Sequence, residues 1–204
     1  MSDHVAGLVL AGGRSSRFGS PKAEAVLEGA SLLEHVLTTL RENCSPVAIV
    51  LAPEQEVPVS VRGMDITIVR DATTHDGPLA GLLAGLGAIG EGWTFVASCD
   101  APLLRAELLQ LLVERRIPGA QVVFAEVGGV RQPLPCLVSV EALPTLLGVF
   151  EAGERRIRRA LEGVPFVTVP EVEVRHADPD LLSFRNVNTR DDLCALEGDL
   201  RRRT

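Results

Sequence analysis

The stretch Leu10-Ala-Gly-Gly-Arg-Ser-Ser-Arg-Phe-Gly-Ser-Pro-Lys22 holds the residue types of an anion-binding loop. Its paired glycines, Gly12 and Gly13, allow left-handed backbone angles and expose peptide N–H groups to a ligand. Arg14, Arg17 and Lys22 add three cations to a chain whose formal net charge is −7. Peptide donors and converging cations suit a polyphosphate, which needs neutralising charge without bulky side chains in its path. Gly19 is followed by Ser20 and not by Lys-Ser or Lys-Thr, so this is not a Walker A loop.

Two carboxylates extend the pattern. Asp71 and Asp100 each follow a short apolar run, and open α/β sheets bind ligands beyond the carboxyl ends of their strands. A carboxylate facing a polyphosphate repels it unless a hard divalent cation lies between them. Mg²⁺ takes one or two carboxylates together with phosphate oxygens, which makes Asp100 a candidate metal ligand. The structural alternative for Asp100 is an N-cap of the helix after Pro102, and for Asp71 a turn or cap. Asn186 and Asn188 alternate around Val187, so a strand there would place both amides on one face, although paired amides also occur in turns. Arg131-Gln-Pro-Leu-Pro135 and Glu154-Arg-Arg156 read as structural when taken alone. His4, His35, His75 and His176 form no catalytic set.

The elements that must position these groups follow from periodicity. Short β-rich runs at Val5–Leu10, Val47–Ala52, Ile66–Val69 and Thr94–Ala97 alternate with helical patterns, the signature of a mostly parallel, doubly wound α/β sheet. Ser31-Leu-Leu-Glu34 predicts a capping box for a helix whose stripe is Leu33, Val36, Leu37 and Leu40. Helices are expected over Gly77–Ile89, Arg105–Arg116, Leu143–Phe150 and Glu154–Leu161. Val122–Glu126 and Leu134–Val138 flank Gly128-Gly129 and are expected to pair antiparallel. Phe166–Val169 is expected to be extended, Phe184–Val187 to be the last strand, and residues 171–180 to be an exposed loop. Thr189-x-x-Asp192 predicts the cap of a terminal helix.

Composition narrows the function classes. The 204 residues, 46% hydrophobic, can bury one full core and are read as a single domain over 1–204. With 27 acidic against 20 basic residues and no Tyr, the chain lacks the basic face and stacking platforms of a nucleic-acid binder. No apolar run reaches ~18 residues, so no membrane span is expected, and no signal peptide is read. Cys44, Cys99, Cys136 and Cys194 are scattered without a CxxC pair. They read as reduced thiols in or near a core, and with the other features predict a cytoplasmic protein. Gly85-Leu-Gly-Ala-Ile-Gly90 spells GxGxxG but follows a helical pattern, so it is not a dinucleotide fingerprint. Asn43-Cys-Ser45 is a sequon without meaning in an unexported chain.

Taken together, these residues resemble the molybdenum cofactor guanylyltransferases. The shared elements are Leu10–Gly13 with Arg17, Gly19 and Lys22, then Asp71, Gly77-Pro-Leu-Ala-Gly81 and Cys99-Asp100-Ala-Pro102. Pro133-Leu134, Ala152-Gly-Glu-Arg-Arg156 and Asn186-Val-Asn-Thr189 follow in family order. The resemblance implies a Rossmann-like nucleotidyltransferase fold with at least one antiparallel strand. It implies transfer of GMP from GTP to the terminal phosphate of molybdopterin, usually carrying molybdenum, with release of pyrophosphate. By matching position, Leu10, Ala11, Gly12, Gly13, Lys22, Asp71 and Asp100 would contact GTP, and Arg17 would lie by the triphosphate. Arg17, Lys22 and Asp100 would be catalytic, Asp100 would bind Mg²⁺, and Asn186 and Asn188 would lie on the pterin side. Transient contact with molybdoenzymes or their chaperones is implied as well. The chain departs from the family at Phe18, where Met is usual, at Glu24, and at Leu51-Ala52, where some members place a base-contacting Asn. Two other readings remain open at this point. One is a sister enzyme using CTP or a sugar phosphate, and the other is a non-catalytic GTP-binding carrier of the cofactor.

Overall fold

The computed structural model describes residues 5–12, 22–71 and 77–202. Nine strands are described: β1 (Ala6–Leu10), β2 (Val26–Leu27), β3 (Ala30–Ser31), β4 (Val47–Leu51), β5 (Thr67–Arg70), β6 (Trp93–Ser98), β7 (Val122–Val127), β8 (Val130–Ser139) and β9 (Phe166–Val169). The helices are α1 (Leu32–Asn43), α2 (Pro78–Ile89), α3 (Ala106–Glu114), α4 (Leu143–Glu151), α5 (Ile157–Glu162), α6 (Glu171–Ala177) and α7 (Arg190–Arg201).

Seven strands form one sheet in the order β5-β4-β1-β6-β8-β7-β9. β1 pairs parallel with β4 and β6, and β4 pairs parallel with β5. β8 runs antiparallel to both β6 and β7, and β9 returns parallel to β7. The expected mixed, doubly wound sheet is present. Strand alternation divides its side chains between two cores. Val9, Ile49, Phe95 and Val123 face α1, α3 and α6. Leu8, Val50, Val96 and Phe124 face α2, α4 and α5. A third, small cluster of Leu27, Leu32, Val187 and Leu196 seats α7 on the β2–β3 hairpin.

The capping box of α1 is present: Ser31 Oγ accepts from the Glu34 amide at 3.1 Å, and Glu34 Oε2 accepts from the Ser31 amide at 2.6 Å. Gly85 lies inside α2 and Gly90 ends it, so the GxGxxG spelling is helix. At Gly85 a Cβ would come within 2.4 Å of Leu8, which shows how closely α2 lies on β1. Among the described residues no helix is long and apolar enough to cross a membrane.

Three local expectations are corrected. Residues 171–180 are largely α6, whose acidic first turn and basic last turn complement the helix dipole and whose Val174 is buried. Phe184–Val187 is not a strand. A short 3-10 turn, Leu182–Phe184, occupies its start, entered through Leu181 at φ 54°. The buried Asp178 carboxylate accepts from the amides of Leu182 and Ser183, which folds the chain back on itself there. The helix expected from Glu154 begins at Ile157, because Glu154 turns its carboxylate onto the amides of Arg155 and Arg156.

Candidate active site

Adjacent parallel strands β1 and β6 end side by side, with Leu10 in register with Ser98. The amide of Cys99 donates to the Leu10 carbonyl, and Asp100 follows at the carboxyl edge of the sheet. Across from it a 3-10 turn, Lys22–Glu24, presents Lys22. Lys22 Nζ lies 2.6 Å from Asp100 Oδ2 and 2.9 Å from Asn188 Oδ1. The Lys22 and Asp100 side chains are only 15% and 16% exposed, which favours a short charge-assisted contact. Asp100 Oδ1 is buried and has no hydrogen-bond partner among the described residues. Asp100 is not a helix N-cap, since α3 starts at Ala106 after Arg105.

Asn188 is held by the start of α7. Its amide donates to Asp192 Oδ2 at 2.8 Å, and so does the amide of Thr189, while the Asp192 amide donates to Thr189 Oγ1. The Asn188 amide, above all, holds the Asp192 carboxyl below its ordinary value, and the Lys22 charge adds to the effect. Asn186 is exposed two residues upstream, across the buried Val187.

The other candidates line the same edge. Leu10 and Ala11 are buried; the Ala11 amide donates to Val50 and its carbonyl accepts from Gln55 Nε2. Gly12 has no left-handed backbone angle, contrary to expectation. Its lack of a side chain serves close approach, since a Cβ would lie 3.3 Å from the Ala52 nitrogen. Asp71 follows β5, with its amide donating to Leu51, and lies beside Gly81 of α2. Between the ends of β5 and β6 stand three inter-strand steps, on the order of 14 Å, too far for Asp71 and Asp100 to share one cation. Gly13, Arg14 and Arg17 lie outside the described residues, as do His4 and His75. The Ala152–Arg156 motif approaches the start of α2, where a Cβ on Gly77 (φ 79°) would meet the Arg155 carbonyl at 3.4 Å.

Two features were missed from sequence. Gln55 supplies an amide where the β4 end lacks one: its Oε1 accepts from Ala52 and its Nε2 donates to Ala11. Lys22 is the only lysine of the chain, beside nineteen arginines, a signal that a residue count would have exposed.

Burial, reinforced by the Asp100 charge, pushes the Cys99 thiol up to about 12. Among the described residues no group of three metal-ligating side chains exists. A cation here would depend on one hard carboxylate oxygen and a ligand's own oxygens. The uncommitted Oδ1 of Asp100 fits that manner of binding Mg²⁺.

Comparison with known proteins matches residues 7–169 to the MobA-like NTP transferase domain. The chain is 30% identical over 192 residues to the molybdenum cofactor guanylyltransferase of Desulfosudis oleivorans, covering 94% of this chain and 93% of that protein. The crystal structure of molybdopterin-guanine dinucleotide biosynthesis protein A from Archaeoglobus fulgidus superposes with a TM-score of 0.83 at 28% identity, covering 97% of this chain and 100% of that one. A 4-diphosphocytidyl-2C-methyl-D-erythritol synthase from Anaerococcus prevotii shares the fold, with a TM-score of 0.71 at 13% identity over 97% of this chain and 98% of that one.

Proposed function

The chain belongs to the MobA-like NTP transferase family of nucleotidyltransferases, and within it we propose that this member transfers GMP from GTP to the terminal phosphate of molybdopterin, releasing pyrophosphate. The observation that carries the reading is the meeting of Lys22, Asp100 and Asn188 at the carboxyl edge of the sheet. The names of its relatives supply the choice of substrates.

The chemistry asks little of a general base. A phosphomonoester has its second pKa near ~6, so the attacking phosphate is largely dianionic at pH 7. One of its oxygens bonds to the α-phosphorus of GTP as the bond from that phosphorus to the bridging oxygen of pyrophosphate breaks. The obstacle is the approach of one anion to another. Lys22 neutralises and orients phosphate oxygens, and the exposed Gly12 leaves room for them. Arg17, on the same loop, is assigned to the triphosphate. Asp71, about three strand positions from Asp100, is assigned to the nucleoside end of GTP, and Asn186 and Asn188 to the pterin side. Mg²⁺ would be held by Asp100 with phosphate oxygens, and when bound would supply Lewis-acid neutralisation of the triphosphate charge.

The test is incubation with GTP, Mg²⁺ and molybdopterin, followed by mass analysis of the product. A guanine dinucleotide of molybdopterin with stoichiometric pyrophosphate supports the reading. Product from CTP instead, or from GTP with sugar phosphates, identifies the sister activities and overturns it. GTP binding without pyrophosphate release identifies a carrier.

A further inference from the structure

The chain uses arginine at every cationic position except 22. An arginine presents a rigid planar fork, whereas a lysine ends in a compact ammonium with three rotatable donors on a flexible stem. At position 22 the ammonium sits between one carboxylate oxygen and one amide oxygen, Asp100 Oδ2 and Asn188 Oδ1. Asp100 lies two residues past the end of β6, and its carbonyl accepts from the Val187 amide. Asn188 is exposed and belongs to no strand or helix, so something else must fix the backbone from which its side-chain oxygen meets Lys22.

Asp192 does this. A capping box needs the carboxylate at the third helical position to take only the N-cap amide. Here that amide is Thr189's, and the same Oδ2 also takes the amide of Asn188, gripping the residue before the helix. α7 itself is seated by Leu196, which joins Val187, Leu27 and Leu32 in one cluster. Leu27 belongs to the hairpin that follows the Lys22 turn, so one small core joins that hairpin to α7 and to Val187. An ion pair between Arg185 and Asp199 ties the helix to its own approach segment. Asn188 and Asp192 both lie beyond residue 169, the end of the matched transferase domain.

We propose that Asp192 is a positioning residue for Lys22, acting through Asn188, so that the C-terminal helix completes a site whose other parts lie in the transferase domain. The kinetic part of this inference rests on the nucleotidyl-transfer reading. The geometric part does not.

The test exploits the single lysine. Wild type, Asp192→Ala and Thr189→Ala are treated with an amine-selective acylating reagent, and peptide masses separate Lys22 from the N-terminal amine. Thr189→Ala removes the hydroxyl that caps the Asp192 amide but leaves both amides on Asp192 Oδ2, so it weakens the helix start without releasing Asn188. Asp192→Ala is expected to raise the acylation rate of Lys22 about tenfold, the worth of one hydrogen bond to a charged group, while Thr189→Ala leaves it near wild type. In the transfer assay Asp192→Ala should lower kcat, with no further loss when combined with Asn188→Ala. Equal labelling of the two variants, or independent losses for Asp192→Ala and Asn188→Ala, would overturn the proposal. Should Asp192→Ala not fold, Asp192→Asn, which keeps one acceptor oxygen, is expected to shift labelling in the same direction by less, and no shift would overturn the proposal. Labelling needs no substrate, so a wild type that fails to release pyrophosphate refutes the reaction without deciding this inference.

Discussion

The amide of Val187 donates to the carbonyl of Asp100 at 2.8 Å, joining the approach to the last helix to the residue whose carboxylate meets Lys22. Asp100 and Asn188, whose side chains both accept from Lys22 Nζ, thus sit on backbone segments bonded to each other. The Lys22–Asn188 contact spans 166 positions of sequence. Such a junction exists only when the sheet and α7 are both in place.

Removing either member of the central ion pair should therefore remove the reaction while sparing the fold. Lys22→Ala and Asp100→Ala are each expected to lose on the order of 10²–10³ in rate, the usual effect of deleting a group that stabilises developing charge. Lys22→Arg should not restore it, because a wide, planar guanidinium does not reproduce the compact ammonium whose one nitrogen meets both Asp100 Oδ2 and Asn188 Oδ1. Pyrophosphate release measured beside a circular dichroism spectrum checks this. A well-folded Asp100→Ala enzyme with full turnover would take Asp100 out of the metal role.

The contact of α2 with β1 gives a stability prediction with a built-in control. Alanine at a helix interior gains roughly 1 kcal/mol over glycine, but a Cβ at Gly85 would lie 2.4, 2.6 and 3.0 Å from Cδ2, Cδ1 and Cγ of Leu8. Leu8 is fully buried and its branch point is among the crowded atoms, so overpacking, typically about 1–3 kcal/mol, outweighs the propensity gain. Gly85→Ala should destabilise by roughly 1 kcal/mol, seen as a lower urea midpoint with an unchanged slope. Gly87, in the same helix, has nothing within 4 Å of its added Cβ, and Gly87→Ala should stabilise.

The capping box of α1 carries a pH dependence. The Ser31 amide, and next its hydroxyl, hold the Glu34 carboxyl below the ordinary glutamate value of 4.5. A depressed folded-state pKa means stability that is fully present above the unfolded value and is lost as pH falls through the folded one. Glu34→Gln keeps a capping-box acceptor but removes the charge. Wild type should therefore exceed Glu34→Gln in urea-melt stability at pH 7, and the gap should close below about pH 4.5. A gap that grew on acidification would contradict the assignment.

Much of the fold was legible because its signals are local or strongly periodic. The stripe of Leu33, Val36, Leu37 and Leu40 and the box Ser31–Glu34 give α1 directly, and all four stripe residues are fully buried. The α6 helix was hidden because Val174 is its only buried residue. Its support comes from Arg175 on Glu171 and from Arg115 on Glu173, and the second of these is invisible in local sequence. Phe184–Val187 looked like a strand, but its four residues, Phe-Arg-Asn-Val, are too short a pattern to distinguish a strand from a turn. The deciding group is Asp178, a buried carboxylate several residues upstream. At the site, the position after a strand pointed to Asp100, and the cations of the glycine-rich loop pointed to Lys22. The hydrogen bond that Lys22 donates to Asn188 needed the tertiary structure.

Thiol accounting offers a check that is independent of any substrate. Burial pushes the Cys44 and Cys99 thiols up to about 12 and raises Cys136 further still. All three are then almost wholly protonated at neutral pH, and the thiolate is the reactive form. Cys194, expected with the others in or near a core, is exposed on α7. A disulfide reagent at pH 7.5, a pH within about one unit of an ordinary thiol's pKa, should modify one cysteine quickly in the native protein and all four after denaturation. Peptide mapping should place the fast label on Cys194. A fast label on Cys44 or Cys136, both buried, would mean that the core opens in solution.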